Sequence, residues 1–252
     1  MRRTKKYITM GLFVSVIFVA TLAVCWSLLG KRSYAGSQET QTEQNVSSQT
    51  ESSYDHSNVK KSKSTSDLLV LVNKTNALPD GYHQKLKQLK NGKFVANVMY
   101  LHLRDMWFDC EAQNSSYSIA VVSAYRSHNK QETLLQQEIA KNERLGMSRK
   151  EALNDALRTV APSGYSEHET GLCVDITAKR NQQLNKQQED MPENRWLQKH
   201  CAEYGFILRY PKGKENITGY DYEPWHFRYV GKKAAKEIMQ KKITLEEYLQ
   251  EK

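Results

Sequence analysis

Apolar and polar residues are distributed unevenly along this 252-residue chain, and the N-terminal part differs sharply from the rest. Residues 8–30 contain no charged side chain and are mostly apolar. About 20 such residues in a helix span the hydrocarbon core of a bilayer. Four basic residues precede this stretch within the first six positions. The positive-inside rule therefore predicts a cytoplasmic tail at 1–7, a single transmembrane anchor at 8–30 and an extracellular remainder.

Two other interpretations of the apolar segment remain open. Ser33, Tyr34 and Ala35 resemble a small-x-small cleavage site, so the segment can be a signal peptide. The apolar run exceeds the roughly 7–15 residues of a signal core, and Lys31 and Arg32 follow it directly, which favours an uncleaved anchor. Residues 22–25 (LAVC) also show a weak similarity to a lipoprotein signal. All three interpretations predict export of the rest of the chain.

Residues 31–66 are rich in Ser, Gln, Thr, Glu and Asn and offer almost nothing that a core could bury. Burial of so little apolar surface cannot offset the entropy lost on ordering, so the composition predicts a flexible linker. Residues 67–252 have the mixed composition and the length of one folded domain. Any functional site is therefore expected within this domain.

Short apolar runs bounded by turn residues predict strands within residues 67–252. These runs lie at 68–72, 119–125, 171–176, 206–210 and 225–230. Capping residues and glycine stops predict helices at 128–145, 149–160, 193–204 and from 232 onward. Strands and helices do not alternate regularly, which favours an α+β domain with a mainly antiparallel sheet and flanking helices over a doubly wound sheet.

Charge and cysteine content narrow the candidate functions. Residues 1–66 contribute +5 and the remainder +4 to the net charge of +9. This mildly positive charge suits contact with an anionic cell wall or membrane surface. Predicted export argues against a nucleic acid partner. The four cysteines form no C-x-x-C pair, so no zinc finger is indicated. Cys110 and Cys201 fit either a disulfide or two buried free thiols.

Three residues of the domain can form a catalytic metal site. His168 and Asp175 lie seven positions apart on a predicted loop and strand, and His226 follows Glu223 by three positions. Two imidazoles and one carboxylate leave the fourth position of tetrahedral zinc open, as in catalytic sites. The carboxylate of Glu223 can then take the proton of water and deliver it to the leaving amine. The same spacing also fits structural histidines, and without an H-E-x-x-H sequence a helical zinc peptidase is excluded.

Several segments resemble, in order along the chain, the motifs of the LAS metallopeptidases and of their VanY-type D-alanyl-D-alanine carboxypeptidases. The segments are 123–131 (SAYRSHNKQ), 166–175 (SEHETGLCVD), 204–211 (YGFILRYP), 223–226 (EPWH) and 228–231 (RYVG). The first corresponds to S-G-Y-R-S-x-x-x-Q, the second to S-x-H-x-x-G-x-A-x-D and the fourth to E-P-W-H. The resemblance covers nearly the whole predicted domain and implies a hedgehog/DD-peptidase-like fold.

The resemblance implies a role for each of eight residues. Zinc would be held by His168, Asp175 and His226, catalysis would use Glu223 and Arg126, and substrate would contact Ser166, Gln131 and Trp225. A fixed guanidinium at Arg126 would polarise the scissile carbonyl and stabilise the oxyanion where negative charge develops. Two of the roles have plain structural alternatives, because Trp225 can be a core residue and Gln131 a solvated helix residue.

The sequence departs from the family pattern at two positions. Cys173 replaces the usual small residue, commonly Ala, and strand alternation would turn it to the same side as Asp175. A thiolate ligand is one interpretation, and a buried space-filling thiol is favoured over it. Ala124 replaces the usual Gly, which ordinary extended backbone tolerates.

The function implied by the resemblance is removal of the terminal D-Ala from peptidoglycan precursor peptides ending in D-Ala-D-Ala. Loss of that residue destroys the epitope of glycopeptide antibiotics, so a role in vancomycin resistance is also implied. L,D-carboxypeptidases of tetrapeptides and dipeptidases of free D-Ala-D-Ala share the motifs, and a non-catalytic wall-binding module is a further alternative. A serine enzyme is disfavoured, because two S-x-x-K matches lack the S-D-N and K-T-G companions.

Overall fold

The computed structural model describes residues 67–251. The predicted tail, anchor and linker at 1–66 lie outside the described residues, so those assignments stay predictions. Within 67–251, no helix combines the length and the apolar character that a membrane crossing requires.

The central sheet has four strands, and every neighbouring pair is antiparallel. They are β3 (Ile119–Ser123), β4 (Cys173–Ala178), β5 (Phe206–Leu208) and β6 (His226–Tyr229), in the order β3-β4-β6-β5. A separate antiparallel hairpin consists of β1 (Leu86–Gln88) and β2 (Phe94–Ala96). The antiparallel sheet with accompanying helices confirms the predicted α+β class.

Seven α-helices accompany the strands in the described part of the chain. They are α1 (Asn97–Ala112), α2 (His128–Arg144), α3 (Arg149–Ala156), α4 (Pro192–His200), α5 (Glu215–Thr218), α6 (Lys232–Lys241) and α7 (Leu245–Gln250). Ser127 caps α2 as predicted, and Ser148 with Glu151 forms the predicted capping box of α3. Helix α3 ends at Ala156, however, four residues before the predicted end at 160.

The predicted strand at 68–72 is absent, because these residues form a short 3-10 helix (Asp67–Leu69) followed by irregular chain. Val70 and Val72 are fully buried, so their apolar character reflects core packing and not strand pairing. The carbonyl groups of Leu68 and Val70 accept hydrogen bonds from Nη2 of Arg228, at 3.0 and 2.8 Å. A buried guanidinium thus satisfies the carbonyl groups that a neighbouring strand would bind if this segment were a strand.

Strand β4 occupies the middle of the sheet, and all six of its residues are buried. Val174 and Ile176 belong to the main apolar core together with Met99, Leu103 and Met106 of α1. Because side chains alternate along a strand, Cys173 and Asp175 point to the opposite face. In the register with β6, Asp175 lies opposite His226 and Cys173 opposite Arg228. The sheet therefore places polar residues of two strands side by side.

Candidate metal centre and active site

His168 is presented by a short 3-10 helix (Glu167–Thr170) that precedes β4. The hydroxyl of Ser166 accepts a hydrogen bond from the backbone N–H of His168, and Gly171 ends the turn at φ +72°. A Cβ at Gly171 would approach Ala96 N to 3.3 Å, so a glycine suits both the backbone and the packing. Nδ1 of His168 lies 2.7 Å from the carbonyl oxygen of Ala124 and must donate its proton there. The unprotonated Nε2 is thereby free to bind a metal.

The three predicted metal ligands converge. Oδ2 of Asp175 lies 3.3 Å from Nε2 of His168, and Oδ1 lies 3.1 Å from Nδ1 of His226. The two imidazole rings are nearly perpendicular, with centroids 5.0 Å apart. All three side chains are buried. Two ring nitrogens and a carboxylate therefore surround one small volume at the floor of a cavity.

The chemistry of these donors fits a divalent metal ion of the zinc type. Oδ1 of Asp175 is buried and makes no hydrogen bond of acceptable geometry, although His226 Nδ1 is near. A buried carboxylate oxygen without a partner is costly unless a cation or a donor satisfies it. Nitrogen and carboxylate ligands with one open position are typical of catalytic zinc.

Cys173 adds a sulfur to this group of donors. Its thiol and the ring nitrogens of His168 and His226 lie within 4.8 Å of one another. Burial raises the pKa of Cys173, but the two histidines outweigh burial and lower it to about 7. The sequence prediction that Cys173 shares a face with Asp175 is thus confirmed, and the thiol lies directly beside the predicted metal ligands.

Glu223 lies in the same cavity, where its Oε2 is 3.5 Å from Nδ1 of His226. Its backbone N–H donates to the carbonyl of Tyr210, which fixes the segment before β6. Burial raises the pKa of Glu223 to about 7, while the neighbouring His226 opposes this rise and Asp175 adds to it. A carboxylate with a pKa near neutrality can both accept and return a proton at pH 7.

The guanidinium of Arg126 is held by three side chains at the wall of the cavity. Nε donates to Ser123 Oγ at 3.1 Å, Nη1 donates to Gln131 Oε1 at 2.9 Å, and Nη2 lies 3.4 Å from Asp175 Oδ2. Gln131 is fully buried, which excludes the solvated alternative, and its Nε2 donates to the carbonyl of Ala161 at 2.8 Å. Both ends of the Gln131 amide are therefore engaged in fixing Arg126.

The cavity has a volume of about 510 Å³ and is lined by all eight residues predicted from the sequence. Ser166 is nearly buried, and its hydroxyl already accepts from His168 N–H. Trp225 is 9% exposed, so it forms part of the wall while most of its surface packs against protein. The structure thus brings the predicted residues together, and their individual roles stay predictions.

A buried ionic group that the sequence did not predict lies beside the predicted metal ligands. Glu167 accepts hydrogen bonds at Oε1 from Arg209 Nε and Arg228 Nη1, each at 2.7 Å, and its Oε2 lies 3.4 Å from Nε2 of His226. Arg209 and Arg228 are fully buried, although Arg209 directly follows the apolar strand β5 and Arg228 lies in β6. A charged residue inside an otherwise apolar strand was the available signal, because it needs a buried partner of opposite charge.

Comparison with known proteins identifies the family. The family VanY, D-alanyl-D-alanine carboxypeptidase, matches residues 93–232, which is more than half of the chain. The chain belongs to the VanY family. A putative carboxypeptidase, YodJ, of Bacillus subtilis (strain 168) is 39% identical over 194 residues, covering 73% of this chain and 67% of the relative. A D-alanyl-D-alanine carboxypeptidase of Enterococcus faecalis is 38% identical over 181 residues, covering 72% and 65%. The match spans about two thirds of both relatives.

Solved structures of VanY-family and related enzymes share the fold. The vancomycin resistance D,D-pentapeptidase VanY from a VanB-type cassette, in complex with Zn(II), is 36% identical with a TM-score of 0.66. The similarity covers 73% of this chain and 99% of that chain. VanYB in complex with D-alanine-D-alanine gives the same TM-score and identity, and the LD-carboxypeptidase LdcB gives 0.61 at 36% identity over 71% and 84%. These similarities confirm the fold implied by the sequence motifs.

Proposed function

We propose that this VanY-family protein is a zinc-dependent D,D-carboxypeptidase that removes the terminal D-Ala from peptidoglycan precursor peptides ending in D-Ala-D-Ala. The convergence of His168, Asp175 and His226 in one cavity with Glu223 and Arg126 carries the proposal. A solved relative contains Zn(II) and another contains D-alanine-D-alanine, which supports this choice of metal and substrate. Loss of the terminal D-Ala would remove the epitope of glycopeptide antibiotics, so we also propose a role in vancomycin resistance.

Zinc would be held by Nε2 of His168, Nδ1 of His226 and the carboxylate of Asp175. When bound, it supplies Lewis acidity and lowers the pKa of a coordinated water toward ~7. The two histidines reach the site through different nitrogens, because His168 uses Nδ1 to donate to the Ala124 carbonyl. Asp175 compensates part of the positive charge and also faces Arg126 Nη2 at 3.4 Å.

Glu223 would move the proton of the reaction. As the oxygen of water adds to the carbonyl carbon of the scissile bond, its proton passes to the Glu223 carboxylate. The same proton then passes to the nitrogen of the leaving D-Ala, and the C–N bond breaks. Burial of Glu223 and its raised pKa, about 7, suit both halves of this transfer.

Arg126 would stabilise the charge that develops on the carbonyl oxygen. Its guanidinium is fixed before substrate arrives by Ser123 and Gln131, so little reorganisation accompanies the reaction. We propose Gln131 as a positioning partner of Arg126, since its amide is already engaged at both ends. Ser166 and Trp225 line the cavity near His168 and His226 and are the proposed substrate contacts.

An L,D-carboxypeptidase acting on tetrapeptides is the second candidate. The LD-carboxypeptidase LdcB is as similar in sequence, at 36% identity, as the solved D,D-pentapeptidase. We further propose that residues 8–30 anchor the protein in the cell membrane with the catalytic domain extracellular, supported by the apolar run and the preceding basic residues.

D-alanine release from three substrates separates these candidates. The full chain, purified in detergent with zinc, is incubated with a pentapeptide ending in L-Lys-D-Ala-D-Ala, a tetrapeptide ending in L-Lys-D-Ala, and free D-Ala-D-Ala. The proposal predicts release of one D-Ala from the pentapeptide, halting at the tetrapeptide. Release from the tetrapeptide alone would instead assign the L,D activity, and release from none would overturn the proposed reaction.

A further inference from the structure

The carboxylate of Glu167 joins a metal ligand to a buried group of charges. Oε2 lies 3.4 Å from Nε2 of His226, while Oε1 accepts from Arg209 and Arg228. The side chains of Glu167, Arg209 and Arg228 are 0% exposed. The carboxylate is thus divided, with one oxygen for the two guanidinium groups and the other for the imidazole.

The contact at Nε2 determines which ring nitrogen of His226 faces the metal site. A carboxylate offers only acceptors, so Nε2 must carry the proton and donate it to Glu167. A neutral imidazole protonated at Nε2 has a bare Nδ1. That Nδ1 lies 3.1 Å from Asp175 and 3.5 Å from Glu223, inside the cavity. For His168 the arrangement is reversed, because its Nδ1 donates to the Ala124 carbonyl.

The surrounding charged side chains hold Glu167 in place, because two guanidinium groups pair with its carboxylate. Arg209 also donates through Nη1 and Nη2 to the carboxylate of Glu246, at 2.9 and 2.6 Å. Arg228 also donates to the carbonyl groups of residues 68, 70 and 229. Two guanidinium groups therefore face two carboxylates.

We propose that Glu167 is a positioning residue of the metal centre, and that its carboxylate fixes His226 in the Nε2–H tautomer with Nδ1 turned to the metal. This inference rests on the proposed function, because it assumes that His226 binds zinc. The guanidinium groups of Arg209 and Arg228 reach the imidazole of His226 through Glu167, since each donates to its Oε1. Outer partners of this kind strengthen a histidine ligand and restrict its orientation.

Zinc affinity of matched variants tests the proposal on the full chain. Glu167→Gln removes the charge beside His226, whereas Glu246→Gln removes the other carboxylate of Arg209 without touching His226. Competition with a chromophoric chelator should show zinc binding about 10–100-fold weaker in Glu167→Gln. Glu246→Gln should bind zinc as the wild type does. Equal affinity in all three proteins, or equal weakening in both variants, would overturn the role of Glu167.

A second measurement does not depend on the folding of either variant. Long-range ¹H–¹⁵N correlation spectra of the zinc-loaded wild type, assigned with His226→Gln, report which nitrogen of each histidine carries a proton. We expect a proton on Nε2 of His226 and on Nδ1 of His168, and a proton on Nδ1 of His226 would contradict the proposal. A wild type that binds no zinc would overturn the proposed function itself, which separates the two failures.

Discussion

Asp175 on β4 lies directly opposite His226 on β6, and its Oδ1 is 3.1 Å from the imidazole Nδ1. The antiparallel register of two central strands therefore sets the spacing of two proposed ligands, while His168 is presented by the turn that precedes β4. A site built on paired strands is held more precisely than one built on loops alone. Substitutions at this site should consequently separate metal binding from turnover.

Substitution of Glu223 should remove turnover alone, whereas substitution of His168 should remove both zinc binding and turnover. Glu223→Gln should keep zinc, because Glu223 is not one of the proposed ligands, and should lower kcat about 10²–10⁴-fold through loss of the proton carrier. His168→Ala should lose both zinc and activity. Metal content and D-alanine release are measured on the same preparations. Glu143→Gln, a change at a partly exposed residue of α2 outside the cavity, is the control. An active Glu223→Gln enzyme would exclude Glu223 as the base.

The chemistry of the site could be predicted from the sequence because the ligands fall in short local patterns. His168 and Asp175 share one motif, and Glu223 and His226 share another, so spacing and resemblance were enough to predict that these residues lie together. The ionic group of Glu167, Arg209 and Arg228 could not be predicted in the same way. Its members are 42 and 61 positions apart, and only the folded sheet brings them together.

Errors in the predicted fold have physical causes in particular segments. The run at 68–72 is apolar because it is buried, yet its carbonyls pair with Arg228 and not with a strand. Helix α1 was missed because apolar residues occur all round it, which hides the helical period. Met99, Leu103 and Met106 are buried in the core, whereas Val98, Leu101 and Phe108 are exposed on the same helix.

Substitutions of Arg126 and Gln131 should mainly lower kcat, whereas substitution of a residue that contacts substrate should mainly raise KM. Arg126→Lys loses the fork that reaches Ser123 and Gln131, and kcat should fall about 10²-fold as for loss of one oxyanion donor. Gln131→Met should lower kcat by a smaller factor and leave KM nearly unchanged, because Gln131 acts through Arg126. Steady-state kinetics with the pentapeptide measures both. A large increase in KM with unchanged kcat would assign Gln131 to direct substrate binding.

Cys110 and Cys201 should be unreactive in the folded protein. Both are buried free thiols in the described structure, and burial raises the pKa of each to about 12. Because the thiolate is the reactive form, its fraction at pH 8 is negligible and alkylation should be slow. Peptide mass spectrometry after iodoacetamide treatment should find both unmodified in native protein and modified after denaturation. A disulfide-linked peptide containing both would contradict the structure.

The pair formed by Arg209 and Glu246 predicts how stability depends on pH. Burial raises the pKa of Glu246, but Arg209 outweighs burial and leaves the pKa below its ordinary value of about 4.3. A carboxylate with a depressed pKa stabilises the fold fully above the unfolded pKa, and this contribution is lost as pH falls through the folded pKa. Glu246→Gln should therefore lower the free energy of unfolding at pH 7 by about 3 kcal/mol, as for a broken buried pair.

The difference between wild type and Glu246→Gln should shrink as pH falls below about 4.3, where the wild-type carboxylate begins to lose its advantage. Urea unfolding of metal-free protein in EDTA, from pH 7 to pH 3, separates this effect from loss of zinc. Glu143→Gln serves again as control, because its carboxylate lies at the surface and pairs with Arg149. If the difference in unfolding free energy between wild type and Glu246→Gln shrinks at low pH, the ionised carboxylate of Glu246 stabilises the folded protein. A constant difference across this range would show that the ion pair contributes no pH-dependent stability.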